Sequence, residues 1–158
     1  MTSERWTAAD PDGMRDIGRR LATEVRAGDL VVLSGPLGAG KTTLVQGLAE
    51  GLGVRGPITS PTFVMARVHP SLVGGPPLVH VDAYRLSDWD DLETLDLEAT
   101  LDESVTVVEW GEGLVEGLAA DRIEVRIDRA AGNDAEDGDA RTVDIVHVHA
   151  RSDHVNAV

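Results

Sequence analysis

Residues 30–43 read Leu30-Val31-Val32-Leu33-Ser34-Gly35-Pro36-Leu37-Gly38-Ala39-Gly40-Lys41-Thr42-Thr43. A short apolar run, Leu30 to Ser34, reads as a strand. It enters a glycine-rich turn, and a helix starts at Lys41 and Thr42. Gly35, Gly40, Lys41 and Thr42 satisfy the G-x-x-x-x-G-K-[ST] phosphate-loop pattern in full. The spacing has physical reasons. In open α/β folds ligands bind at the carboxyl ends of the strands, where this run delivers the chain. Glycines remove Cβ atoms, so backbone N–H groups can turn inward on an anion. The helix that follows aims its unpaired N–H groups and positive dipole end at the same point. Lys41 supplies a mobile charge for β- and γ-phosphates, and the Thr42 hydroxyl can ligate Mg2+. The apolar series Leu44, Val45, Leu48 and Leu52 then gives the helical context the motif needs. Lys41 is also the only lysine in the chain, against thirteen arginines, so one compact ammonium is kept where a planar fork would not serve.

Working outward, the 158 residues carry 28 acidic against 14 basic side chains, a formal net charge of −14. Such a chain repels phosphate backbones, so broad direct binding to nucleic acid is disfavoured. Positive charge has to be concentrated where phosphate binds. No apolar run is long enough to span a bilayer, and the first residues lack the apolar segment of a secretory signal. There is no cysteine, which excludes disulfides, thiolate metal sites and cysteine nucleophiles and fits a cytoplasmic protein. The expectation is one domain over residues 1–150 with a frayed tail, 151–158.

Upstream of the loop, residues 2–13 read as loop or a short edge strand. Asp12 is expected to cap a helix from about Met14 to Ala27, with Met14, Ile17, Leu21 and Val25 on one face and Gly28 as C-cap. Residues around Thr7 to Pro11 are placed to wall the base of a nucleotide. Downstream, Gly51-Leu52-Gly53 stops the phosphate-loop helix. Thr59, Ser60, Pro61 and Thr62 form a hydroxyl-rich turn of the kind that contacts a γ-phosphate in switch segments, and Phe63 to Val68 reads as a strand.

Two further strands close on acids: Leu78 to Asp82, and Val105 to Glu109 followed by Trp110. A phosphate-loop enzyme needs a carboxylate at the carboxyl end of a neighbouring strand to hold Mg2+ directly or through water. Asp82 and Glu109 compete for that role. The division expected here gives Glu109 the metal shell and Asp82 the orientation of a water or nucleophile. An acidic helix is expected from Asp88, and a polar helical stretch after Trp110. Arg122 to Asp128 and Arg141 to His149 alternate apolar and polar residues and read as an antiparallel pair at a sheet edge. His147, His149 and His154 lack the convergent partners of a zinc site.

The ordered set GPLGAGKTT (35–43), SPTF (60–63), HVDAYRL (80–86) and VEWGE (108–112) resembles the TsaE (YjeE) family, the small ATPase component of bacterial tRNA threonylcarbamoyladenosine (t6A) synthesis. The resemblance covers about Met14 to Leu118 and, more weakly, the final hairpin. It implies a three-layer α/β phosphate-loop fold, with a mixed sheet, helices on both faces and a C-terminal antiparallel hairpin. It implies a weak, partner-stimulated ATPase with ATP and Mg2+ as cofactors. The implied partners are the TsaB and TsaD type subunits of the core that modifies adenosine 37 of tRNAs reading codons that begin with A, with direct tRNA contact weak or absent.

Position by position, Gly38, Ala39, Gly40, Lys41, Thr42 and Thr43 would cradle phosphates. Thr42 and Glu109 would hold Mg2+, Asp82 would assist hydrolysis, and Thr62 would sit in a switch-like turn. Trp110 would lie beside the nucleotide, Arg141 near the adenine, and His80, Tyr84 and Arg85 would shape the site or a partner surface. Family members often carry Asp after the first loop glycine; Pro36 stands there, without an N–H or a charge. Two other functions share the loop, a small-molecule kinase and a nucleotide-gated binding module. A kinase needs a closing lid to exclude water, and no long arginine-rich insertion is present to form one.

Overall fold

The computed structural model describes residues 2–36, 39–56, 58, 66–83, 100–110, 122–129 and 140–148. Seven strands form one mixed sheet: β1 (Thr2–Ala8), β2 (Leu30–Ser34), β3 (Ala66–His69), β4 (Leu78–Asp82), β5 (Val105–Glu109), β6 (Arg122–Arg129) and β7 (Arg141–Val148). Their order across the sheet is β1-β7-β6-β2-β5-β4-β3. β6, β2, β5 and β4 run parallel, while β3 is antiparallel to β4, and β7 and β1 add antiparallel strands beyond β6. Two α-helices are described, α1 (Pro11–Ala22) and α2 (Lys41–Leu52).

The three central strands are those the apolar runs predict, residue for residue. Successive side chains of a strand face opposite ways. Val31, Leu33, Val107, Val125 and Ile145 share one core with Met14, Ile17 and Leu21 of α1 and Leu44, Val45 and Leu48 of α2. Val32, Val81 and Val108, on the alternate positions, are buried as well, so both faces of the sheet's centre are covered. This is the expected α/β architecture. The helices expected from Asp88 and after Trp110 lie outside the described residues.

Three boundaries differ from the expectation. The hairpin β6–β7 does not end the sheet: residues 2–8, in the stretch read as loop or a short edge strand, form that edge strand and pair with β7 from Thr2 opposite His147 to Ala8 opposite Arg141. Asp10, not Asp12, caps α1: its Oδ1 accepts the N–H of Gly13 at 2.8 Å. Pro11 explains the shift, since its fixed φ and missing N–H suit the first helical position. Asp12 falls in the first turn and pairs with Arg15. The helix also stops at Ala22. Thr23 turns back, its hydroxyl donating to the carbonyl of Arg20 at 2.7 Å, and Gly28 instead ties to the strand β5 entry through the carbonyl of Ser104.

The seam between α1 and α2 depends on two glycines whose role the apolar spacing did not reveal. A Cβ on Gly18 would stand 2.1 Å from the carbonyl oxygen of Leu44, and one on Gly47 would stand 2.0 Å from that of Arg15. The helices therefore meet backbone to backbone, and the phosphate-loop helix is held at a fixed distance from α1.

Candidate functional site

The chain runs from β2 to β4, returns to β5 between them, and then takes β6 on the other side of β2. The strand order reverses about β2, and a crevice outside the carboxyl ends of the strands at such a reversal is where α/β sheets bind ligands. The loop after β2 opens into that crevice. Its turn is closed by the N–H of Ala39 on the carbonyl of Pro36 at 3.0 Å. Gly40 caps α2 with φ 110° and, as a glycine, supplies no side-chain cap. A Cβ at Gly40 would combine that left-handed backbone with a 3.3 Å approach to the Met14 methyl. The first turn of α2 carries no acid, so its N–H groups and dipole keep their positive character.

Lys41 is buried at the base of this loop. Its ammonium donates to the carbonyls of Gly35 at 2.9 Å and Pro36 at 3.0 Å. It also lies 4.1 Å from the ring centre of Trp110. Burial lowers its pKa, and the nearby charges of Glu109 and Asp82 act the other way. Trp110 has φ 63°, a left-handed backbone rare for an aromatic residue, and donates its N–H to the carbonyl of Leu33 at 3.2 Å. The turn after β5 is thus anchored on β2, and the indole is laid on the loop lysine.

Asp82 and Glu109 face each other across β4 and β5 as register partners. The N–H of Ala83 bonds the carbonyl of Glu109 at 2.8 Å, so the two strand ends stay together beyond the last pair. Glu109 is 3% exposed and its Oε2 lies 2.5 Å from Nε2 of His80, which is wholly buried. Lys41, Asp82, Glu109 and Trp110 are therefore gathered at one end of the sheet, as their positions after separate apolar runs predict. Thr42 and Thr43 lie in the first turn of α2. Gly38, Thr62, Tyr84 and Arg85 lie outside the described residues.

Beside the loop a cavity of about 140 Å3 is lined by Asp10, Pro11, Met14, Ala39, Gly40, Thr43 and Arg141. It joins the start of α1 and the start of β7 to the phosphate loop. Asp10 and Pro11 fall within the stretch expected to wall a base, and Arg141 reaches the same cavity. Met14 gave no sequence signal beyond its place on the apolar face of α1. A larger cavity, about 690 Å3, lies against the face of the antiparallel flank turned away from the helix-side core and includes Ser3, Arg5, Ser34, Glu124, Arg126 and Asp144. It contains neither Lys41 nor either strand-end acid, and Arg5 and Asp144 in it are already paired.

His147 pairs with Glu24 at 3.2 Å, and Glu4 brings a third potential ligand atom within 4.8 Å of the other two. The two carboxylates come from β1 and from the turn after α1, far off in sequence, which is why the spacing of the histidines gave no hint of them. His149 and His154 lie outside the described residues.

A family profile described as "Threonylcarbamoyl adenosine biosynthesis protein TsaE" matches residues 8–138. The chain belongs to the TsaE family. The family serves in tRNA threonylcarbamoyladenosine biosynthesis. The tRNA threonylcarbamoyladenosine biosynthesis protein TsaE of Streptomyces coelicolor is 69% identical over 125 residues, 78% of this chain and 84% of that protein. The TsaE of Bacillus subtilis is 35% identical over 136 residues, 86% of this chain and 84% of its own. A crystal structure of Bacillus subtilis YdiB superposes with a TM-score of 0.72 at 29% identity, covering 99% of this chain and 93% of that one. The matched residues contain the whole loop, both strand-end acids and Trp110. Among the described residues no helix is long and apolar enough to cross a membrane.

Proposed function

We propose that this TsaE protein binds ATP with Mg2+ at the loop of residues 35–43 and hydrolyses it in support of t6A formation. The observation that carries the reading is the setting of Lys41. The only ammonium side chain of an acidic protein is buried at a helix N-terminus, beside two strand-end carboxylates. A buried cation at that place is suited to an anion with a metal beside it, and not to the solvent.

The donor set fits Mg2+. Thr42 offers a hydroxyl, and Glu109 and Asp82 offer carboxylates, all hard oxygen ligands. In this reading Thr42 and Glu109 hold the ion, which when bound neutralises charge on the β- and γ-phosphates. Lys41 exchanges its two loop carbonyls for phosphate oxygens. The N–H groups of Ala39, Gly40 and the first turn of α2 orient the phosphates. Asp82 orients the attacking water. The cavity formed by Asp10, Pro11, Met14 and Arg141 receives the base. The nucleotide state then sets the surface offered to TsaB and TsaD type partners through residues 59–63. A net charge of −14 favours such protein partners over direct contact with tRNA.

The test is ATP consumption by the purified chain, alone and with the two core proteins. Lys41→Ala is expected to reduce turnover about 10²–10³-fold, the usual effect of removing one preorganised donor from a charged transition state. Turnover at the wild-type rate in that variant would remove the loop from the chemistry.

A further inference from the structure

We propose that His80 is a positioning residue for Glu109, holding one carboxylate oxygen so that the other stays directed to the nucleotide's cation. The inference rests on the reading that the loop binds a magnesium nucleotide.

The register sets up the contact. His80 pairs with Val107 and Asp82 with Glu109, so His80 and Glu109 are diagonal neighbours on one face of adjacent parallel strands. Behind the two strand-end acids that face is apolar, with Leu78, Val105 and Val107 in the core shared with the helices. An aliphatic side chain at position 80 would continue that packing, as Leu78 does two residues earlier. The imidazole instead carries a penalty: among the described residues its buried Nδ1 has no hydrogen-bond partner. A buried polar atom left unpaired gives up its hydrogen bonds to water and gains none in return. The chain accepts an orphan nitrogen to keep the other one on Glu109.

Of the two tautomers, the one that fits has the proton on Nε2, donated to Oε2 at 2.5 Å, and a bare Nδ1. One arm of the carboxylate is then fixed from inside the sheet. The effect on the site follows from the neighbour on the other side. Lys41 is close enough for Glu109 to act on its charge, yet its bonds go to Gly35 and Pro36. With Oε2 fixed by His80, Glu109 is restrained from rotating into an ion pair with Lys41 that would occupy the lysine needed for phosphate and the oxygen needed for metal. Carboxylates that ligate metals are commonly held in this way by a hydrogen bond from behind.

The experiment titrates Mg2+ against binding of a non-hydrolysable ATP analogue, and repeats the binding in chelator. The variants are His80→Asn, whose amide cannot reach as far as Nε2, His80→Phe, which keeps the ring without a donor, and His80→Gln, whose amide nitrogen stands in for Nε2. Asn and Phe are expected to raise the Mg2+ concentration for half-saturation about 10–100-fold while metal-free binding is unchanged. Gln is expected to restore the wild-type Mg2+ dependence. Equal Mg2+ dependence in all four proteins overturns the proposal. So does loss of folding in both Asn and Phe, which would assign the pair to holding β4 on β5. If wild-type binding itself ignores Mg2+ or is absent, it is the magnesium-nucleotide reading that fails.

Discussion

The parallel centre of the sheet, β2, β5 and β4, and its antiparallel flank, β6, β7 and β1, are both made of short valine-rich strands, yet they handle charge differently. In β2 and β5 every side chain is buried. Two polar side chains of the centre, Glu109 and His80, are out of water and bonded to each other. In the flank, burial alternates along β7, and the charged side chains pair on the surface, Arg5 with Asp144 and Arg122 with Glu124. A polar residue in the flank keeps the outer pleat wet. A polar residue in the centre pays a desolvation penalty and so marks chemistry. Substitutions should therefore lose force from the middle of the sheet to its edges.

Glu109→Ala stands at the top of that gradient. It removes the carboxylate with the larger electrostatic effect on the loop lysine and leaves buried His80 without its partner. Mg2+-dependent nucleotide binding is expected to fall sharply, and urea unfolding to register a loss of about 1–3 kcal/mol. Asp82→Ala is expected to weaken Mg2+-dependent binding less, because Asp82 is half-buried and lies one strand further from β2. Titrations with and without Mg2+ read the order directly. If Asp82→Ala has the larger effect, the roles of the two acids are exchanged.

The same contrast explains what the sequence made legible. A fully buried parallel strand is a run of apolar residues that stops at a polar one, so β2, β4 and β5 are readable to the residue, and Asp82 and Glu109 come with them. The loop is readable because each glycine and Lys41 has a separate physical task. What depends on long-range register is not readable in that way. The bond between His80 and Glu109 spans 29 residues, and that of His147 with Glu24 spans 123. The closing of the edge by β1 depends on pairing with a strand 139 residues away at Arg5 and Asp144. The cap of α1 lies two residues before the expected one, since Asp10 and Asp12 are chemically equal. Pro11, which only the first helical position favours, breaks the tie.

Toward the other edge, His69 ends β3 and is buried, with Nδ1 3.1 Å from the carbonyl of Arg55. Its pKa is lowered, chiefly by burial, with His80 and Arg67 lowering it further and the Arg55 contact opposing. The folded state therefore binds a proton less readily than the unfolded chain. Its contribution to stability is full above the ordinary histidine value of 6.5 and declines as pH falls from there toward the lowered folded value. His69→Leu is expected to flatten the pH dependence of the urea midpoint between about pH 5 and 7. An unchanged slope would mean that the proton is taken up elsewhere.

The smallest effect belongs to Arg5 and Asp144 at the far edge. Their contact is short, 2.7 Å, but the arginine side chain is 72% exposed. Water already solvates both ions well, and holding two side chains in one geometry consumes what attraction remains. Arg5→Ala, Asp144→Ala and the double variant form a cycle whose coupling is expected to be slight at low salt. It should vanish at 1 M salt, where the screening length is about 3 Å. A coupling that survives there would show the pair to be shielded from solvent. The flank would then share the property that makes the centre informative, and its polar groups, including those lining the larger cavity, would have to be read as a site in their own right.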